Sequence, residues 1–218
     1  NMAANIQSVN NLYFKALTTQ IQNAEKVTDV LSTEGLRSLN ETFSDSNTAA
    51  NIQSVNNLYF EAITKQIQKA ENEEQLAGVL DVAQLVSLNR LYKQENKPES
   101  LNALNNAYFE AITTQIQNAE NKEQLAGVLN EVQLVNLNRL YKQENKPEAL
   151  NALNNAYFKA ITTQIQNAEN EGKVTDVLST EGLRSLNETF SDSNMAANIQ
   201  SVNNLYFKAL TTQIQNAE

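Results

Sequence analysis

Paired asparagines recur at a fixed interval, and they are the side chains best suited to bind something. The doublets are Asn56–Asn57, Asn105–Asn106, Asn154–Asn155 and Asn203–Asn204. A carboxamide both donates and accepts hydrogen bonds, so a row of them could bind the backbone of an extended peptide. The candidate peptide-binding ladder is the second member of each doublet: Asn57, Asn106, Asn155 and Asn204. Alternatively, these amides pair with each other or with neighbouring loops, or face water.

A phenylalanine follows each ladder asparagine by three residues, which places the two side by side on a helix. The four are Phe60, Phe109, Phe158 and Phe207. They could line a ligand groove, or form an exposed patch that marks an interaction site. Apolar residues at helical spacing are more often core, so packing between adjacent units is the favoured interpretation. The tyrosine before each phenylalanine is predicted to be core, with its hydroxyl at the edge.

The composition argues against catalysis, because the chain has no cysteine and no histidine. Most zinc sites, thiolate nucleophiles and the commonest general base are therefore excluded, and we expect no enzyme, no metal and no cofactor. Sixteen basic and twenty-five acidic residues give a net charge of −9. This balance disfavours nucleic acid as a partner, since phosphate neutralisation needs basic clusters. No apolar run is long enough for membrane insertion.

The segments that carry these residues repeat every 49 residues. The tyrosine recurs at Tyr59, Tyr108, Tyr157 and Tyr206, and an earlier copy lies at Tyr13. A fixed period of this size is typical of a tandem array, in which each unit buries its apolar face against its neighbours. With only five glycines and two prolines, we predict an all-α fold, an α-solenoid of three-helix repeats.

The third full copy shows the predicted helices most clearly. Residues 122–129 form a short first helix, and Asn130 is placed to cap the second helix, residues 132–144. Pro147 suits the first turn of a third helix that covers about residues 148–168. The third helix has an apolar stripe with steps of three and four residues, formed by Leu150, Leu153, Tyr157, Ile161 and Ile165.

The repeats are of two kinds, and they are arranged in the order outer, inner, inner, outer. The predicted divisions are a leading cap helix at 1–25 and four repeats at 26–72, 73–121, 122–170 and 171–218. The two inner copies agree at 42 of 49 positions, whereas the outer copies have a different second helix and a Ser-Asp-Ser-Asn turn. More polar outer units are what an array needs to end in water.

The leading helix, residues 1–25, is identical to residues 194–218. It could cap the first unit, it could make the two ends interchangeable so that copies dock head-to-tail, or the chain could be a stretch of a longer array. The chain starts inside a repeat and shows no signal peptide, which indicates an excised or engineered stretch. Such close identity implies recent duplication or engineering.

The inner unit resembles an armadillo repeat, which has a short, a middle and a longer third helix. Residues 149–156 read ALNALNNA, similar to the family pattern A-L-W-A-L-S-N-I-A, and residues 100–107 read SLNALNNA. The resemblance implies an armadillo- or HEAT-like superhelix whose ladder asparagines bind peptide backbone. The position of the family's tryptophan is occupied by Asn102 and Asn151 in the inner copies, and by Gln53 and Gln200 in the outer copies.

Two functions follow from this sequence. The first is a non-enzymatic scaffold that binds an extended peptide or protein segment along its concave face. The second is a structural or self-assembling repeat element, natural or engineered, whose identical end helices associate head-to-tail without a ligand.

Overall fold

The computed structural model describes residues 2–44, 47–71, 73–94, 98–119, 125, 128–191 and 194–216. Over these residues all regular structure is α-helical, as predicted. The helices are α1 (Met2–Asn23), α2 (Val27–Val30), α3 (Thr33–Thr42), α4 (Ala49–Lys69), α5 (Glu73–Val79), α6 (Val82–Gln94), α7 (Pro98–Asn118), α8 (Glu131–Gln143), α9 (Pro147–Glu171), α10 (Val174–Val177), α11 (Thr180–Phe190) and α12 (Ala196–Gln215).

The chain divides into two compact units. One unit comprises Asn1–Glu71 and Gln75–Ala111, and the other comprises Asn72–Glu74 and Ile112–Glu218. A middle helix is followed by a long third helix four times among the described residues. The α3–α4 pair lies in the first unit, and the α8–α9 and α11–α12 pairs lie in the second. The α6–α7 pair begins in the first unit, and residues of α7 from Ile112 onward belong to the second.

Local sequence explains where the helices of the third copy begin and end. The Asn130 side chain accepts from the Gln133 N–H while the Gln133 side chain accepts from the Asn130 N–H, a complete capping box. Asn145 has a left-handed φ of 53°, and Pro147 then opens α9 where its missing N–H costs nothing. The second and third helices are thus confirmed within three residues, and α9 continues to the left-handed Gly172. The predicted first helix, 122–129, lies largely outside the described residues.

A reciprocal pair of asparagine amides joins each middle helix to the third helix that follows it. In the first pair, Asn40 Nδ2 donates to Asn56 Oδ1 at 2.8 Å, and Asn56 Nδ2 donates back to Asn40 Oδ1 at 2.7 Å. Asn40 also donates to the Leu36 carbonyl one turn earlier. The same arrangement recurs in three further pairs: Asn89–Asn105, Asn138–Asn154 and Asn187–Asn203.

Aromatic rings join each third helix to the next middle helix inside both compact units. Phe14 on α1 lies edge-on to Phe43 on α3, with centroids 5.0 Å apart, and Phe60 on α4 lies edge-on to Tyr92 on α6 at 4.5 Å. In the second unit, Phe158 on α9 contacts the ring edge of Phe190 on α11 at 5.1 Å. Edge-to-face pairs of this kind stabilise beyond the area they bury.

We expect Asn138→Ala to lower the free energy of unfolding by about 1–3 kcal/mol, because it leaves the buried Asn154 amide without its partner. Replacing both residues by leucine should recover most of the loss, since no polar group then remains unpaired. Denaturant unfolding measures both. The matched control is Asn155→Ala, which removes an exposed amide; an equal loss in that variant would contradict a special role for the buried pair.

Candidate interaction surfaces

The two asparagines of each doublet have different environments. The first members, Asn56, Asn105, Asn154 and Asn203, form the amide pairs described above and are buried, or partly buried in the last case. The second members, which are the ladder asparagines Asn57, Asn106, Asn155 and Asn204, are all exposed. The doublet therefore places one amide in the interior and one on the surface, because adjacent helix positions point about 100° apart.

Hydrogen bonds between neighbouring third helices use this same surface. Asn155 accepts from Asn198 Nδ2 at 3.2 Å, linking α9 to α12. Asn11, the equivalent residue of α1, accepts from Asn51 on α4 at 2.9 Å. Some ladder positions therefore already take part in amide–amide contacts, one of the alternatives that the sequence left open. An asparagine keeps further donor and acceptor capacity after one such bond.

A groove of about 530 Å³ lies beside Asn155 in the second compact unit. Its floor includes the small side chains of Ala152, Ala156 and Ala160 on α9, and the end of α7 contributes Ile116. The polar atoms along it come from Asn155, Lys159, Thr163, Gln117 and Gln164. The groove thus combines an apolar floor with amide and ammonium donors.

Three of the four candidate groove phenylalanines lie in the interior. Phe60, Phe109 and Phe158 are buried, and Phe60 and Phe158 contact the aromatic rings of the following middle helices. This is the packing interpretation favoured from the sequence, and it leaves these three rings without a surface to offer a ligand. Phe207 differs, because 61% of its surface is exposed on α12.

Exposed apolar side chains concentrate on the two terminal third helices. Of the eight large ones among the described residues, five lie on α1 and two on α12: Met2, Ile6, Val9, Leu12, Tyr13, Phe207 and Ile214. A contiguous exposed apolar surface commonly marks an interaction site. The sequence alone does not distinguish these α1 residues, because most of them are identical to residues that are buried in α12.

The tyrosines of the repeated motif are core residues, as predicted. Tyr59, Tyr108, Tyr157 and Tyr206 are buried, whereas Tyr13 on α1 is 48% exposed. The hydroxyls of Tyr59 and Tyr206 are buried without a hydrogen-bond partner among the described residues, so they do not reach the edge as expected. Burial raises the pKa of Tyr59, Tyr108 and Tyr157, and the Glu131 carboxylate adds to the rise in the pKa of Tyr157.

The sequence analysis missed the middle-helix asparagines: Asn40, Asn89, Asn138 and Asn187. Each precedes the first doublet asparagine by 16 residues, and this constant offset is the signal that could have identified them. Among the described residues, no group of three or more acidic side chains could hold a metal ion. No described helix is sufficiently long and apolar to cross a membrane.

Comparison with known proteins found no matching family model, no similar curated protein and no similar solved structure. The structure is all-helical and compatible with a helical-repeat fold, and nothing in the comparisons assigns the chain to the armadillo family.

We expect the protein to lose stability as the pH rises above about 10, because unfolded tyrosines ionise near that value while the pKa values of Tyr59, Tyr108 and Tyr157 are raised by burial. Above pH 10, each of these three tyrosines should lower the free energy of unfolding by about 1.4 kcal/mol for every pH unit. The stabilising contribution is complete below pH 10 and is lost as the pH rises towards the folded-state pKa.

Helical circular dichroism and tyrosinate absorbance, followed together, test this expectation. The two signals should change in one cooperative step, and Tyr157→Phe should make the decline in stability shallower. Tyrosinate formation near pH 10 in a chain that stays fully helical would contradict it.

Proposed function

We propose that this chain is a non-catalytic helical-repeat scaffold that binds an extended peptide or protein segment along the ladder asparagines of its third helices. The observation that carries the proposal is the exposure of the ladder amide in all four copies: Asn57, Asn106, Asn155 and Asn204. Their 49-residue spacing gives one amide per unit, which suits a ligand that offers regularly spaced backbone groups.

The groove beside Asn155 supports a peptide rather than a small rigid ligand. Its alanine floor leaves room for a backbone to approach the helix closely, and Asn155 and Thr163 provide polar contacts along it. Lys159 adds a positive charge in the groove, and the equivalent residue of the preceding copy is Glu110. We therefore infer that the preferred segment carries an acidic side chain opposite the Lys159 position.

The armadillo-like pattern of the third helix supports the same proposal. In that family the late asparagine of the third helix contacts ligand backbone, and the ladder asparagines occupy the corresponding positions. The absence of tryptophan from the chain makes this scaffold dependent on amide contacts, since it lacks the aromatic side chain that would grip a peptide.

The paired variant Asn106→Ala with Asn155→Ala should weaken peptide binding at least tenfold, because it removes two of the four ladder amides without opening a buried site. Peptides selected from a random display library on the unaltered protein supply the probe, and isothermal titration gives the affinities. Circular dichroism should be unchanged.

The matched control is Asn118→Ala with Asn167→Ala. These asparagines are exposed on the same two helices and are also 49 residues apart, so they control for the loss of surface amides in general. Equal affinity of the ladder variant and the control for the selected peptides would refute the proposal, as would a library that yields no binder.

A second candidate function is head-to-tail self-association, and the exposed apolar side chains of α12 favour it. Phe207 and Ile214 are exposed, while Phe14 and Ile21, the same residues of α1, are buried. In the first unit α1 and α4 pack together, so α12 carries every side chain that α1 uses in that contact. A further repeat supplied by a second copy would cover this surface.

Phe207→Asp should suppress head-to-tail growth by placing a charge in the apolar contact. Light scattering over a hundredfold range of concentration measures the effect: the unaltered chain should increase steadily in mass, and the variant should not. Deleting residues 1–25 should instead promote growth, because it uncovers the α4 surface that α12 of another copy would bind. Growth that persists in Phe207→Asp would exclude this mode of association.

A further inference from the structure

A second cavity, of about 240 Å³, lies beside α9 in the second compact unit. Its apolar wall is formed by Leu125, Leu129 and Ile161, with the ring of Tyr157 beside them. All four side chains belong to the interior, since none is more than 3% exposed. An apolar cavity of about 150 Å³ is large enough to bind benzene. This cavity therefore has room for one ring and a short chain attached to it.

A buried amide without a partner borders the same cavity. Gln164 is only 5% exposed, and within the described part of the chain neither its Oε1 nor its Nε2 has a hydrogen-bond partner. Burying a carboxamide without a partner is costly, so such groups are rare in folded proteins. The amide is placed to bond with a molecule that enters the cavity.

The matching glutamine of the first copy shows what this amide does elsewhere. Gln66 accepts from the Val27 N–H at 3.1 Å and donates to the Ala24 carbonyl at 3.4 Å. In the third copy the equivalent of Val27 is Leu125, which lines the cavity, and Gln164 forms no hydrogen bond with it. The first copy therefore uses the amide to hold its own backbone, whereas the third copy leaves the amide available to a ligand.

Two carboxylates give the cavity a negative charge. Glu131 is half-buried and Asp176 is exposed, and none of the described lining residues is basic. Neither carboxylate forms an ion pair with a described residue. A Cβ added at Gly182 would lie 3.1 Å from Glu131 Oε1, so this carboxylate lies against the first turn of α11, where a negative charge is favoured. A cavity with this charge favours a cation.

The two carboxylates occur together at only one place in this chain. The residues equivalent to Glu131 in the other copies are Thr33, Val82 and Thr180. The residues equivalent to Asp176 are Asp29, Gly78 and Gly127. Only the third copy, followed by the fourth, brings an acidic residue from each set to one cavity. This cavity is thus a single site in a chain whose other features recur.

We infer that this cavity binds a small primary amine whose apolar body contains one ring and ends in a hydroxyl group. The ammonium group pairs with the carboxylates of Glu131 and Asp176. The ring packs against the apolar wall defined above, and the hydroxyl bonds to the Gln164 amide, which can both donate and accept.

The polar ends of the cavity set the length of this ligand. Glu131 lies near Tyr157, because its carboxylate adds to the rise that burial causes in the pKa of that tyrosine. Gln164 follows seven residues later on α9, which corresponds to about 10 Å along the helix. Tyramine has its ammonium and its hydroxyl at opposite ends of one ring and a short chain, so it is the probe that matches this spacing.

The first test compares two probes that differ in charge. By isothermal titration, tyramine should bind with a dissociation constant on the order of 0.1–1 mM, as expected for so small a ligand. The anionic probe 3-(4-hydroxyphenyl)propionate has the same ring and hydroxyl but carries a carboxylate in place of the ammonium. It should bind at least tenfold more weakly, because it meets two carboxylates.

The second test removes the two negative charges. The paired variant Glu131→Gln with Asp176→Asn should weaken tyramine binding at least tenfold while helical circular dichroism stays unchanged. The matched control is Asp29→Asn, which makes the same change at the equivalent position of the first copy and should leave the affinity unaltered.

The third test isolates the amide. Gln164→Met keeps an unbranched side chain of similar length but removes the carboxamide, and should weaken tyramine binding about fivefold. Binding of 2-phenylethylamine, which lacks the hydroxyl, should not change in this variant. The unfolding temperature should not fall, because the amide has no described protein partner to lose.

Four outcomes would overturn the inference: no binding of tyramine at millimolar concentration, equal affinity for the anionic probe, an equal loss of affinity in Asp29→Asn, or an equal effect of Gln164→Met on both amines. The inference goes beyond peptide binding and does not depend on it. Affinity for a library-selected peptide should be the same in the paired carboxylate variant and in the unaltered protein, so the two proposals can fail independently.

Discussion

The reciprocal amide bond between a middle helix and the next third helix is the constraint on which the rest of the structure depends. A buried carboxamide that loses its partner retains its full desolvation cost, so each pair tolerates little displacement. Asn56 and Asn105 are fully buried, and rotating either helix by one residue would separate the donors from the acceptors. The apolar stripes supply most of the burial, and the amides select one register from those that the stripes would allow.

That register determines which side chains remain on the surface. Once Asn154 faces α8, its neighbour Asn155 must face outward, where it borders the groove and meets Asn198. In the same way, the orientation of Tyr157 towards the core turns Phe158 towards Phe190 of the next middle helix. The rotation of each third helix about its own axis therefore determines both which of its side chains are buried and which are exposed.

The helices themselves could be predicted from sequence because their signals are local. The cap at Asn130, the stop at Asn145 and the proline at 147 each act over a few residues, and α8 and α9 begin and end close to where those signals place them. Which asparagine of a doublet is buried could not be predicted, since adjacent asparagines have the same chemistry. For Asn154 and Asn155, only the position of α8 decides which of the two is buried. The exposure of the apolar residues of α1 could not be predicted, because the equivalent residues are core residues in the other copies.

Equal patterns in all four pairs also affect how the chain reaches this structure. The middle helix α3 pairs with α4 across 16 residues, yet α1 lies just before it and offers the same apolar stripe with the same central asparagine. A nascent chain presents α1 first, so α3 meets a competing partner before its own has been synthesised. Early pairing of α1 with α3 would be a kinetic trap that delays folding without altering the final state. Sequence identity between repeats is thus a source of frustration as well as of regularity.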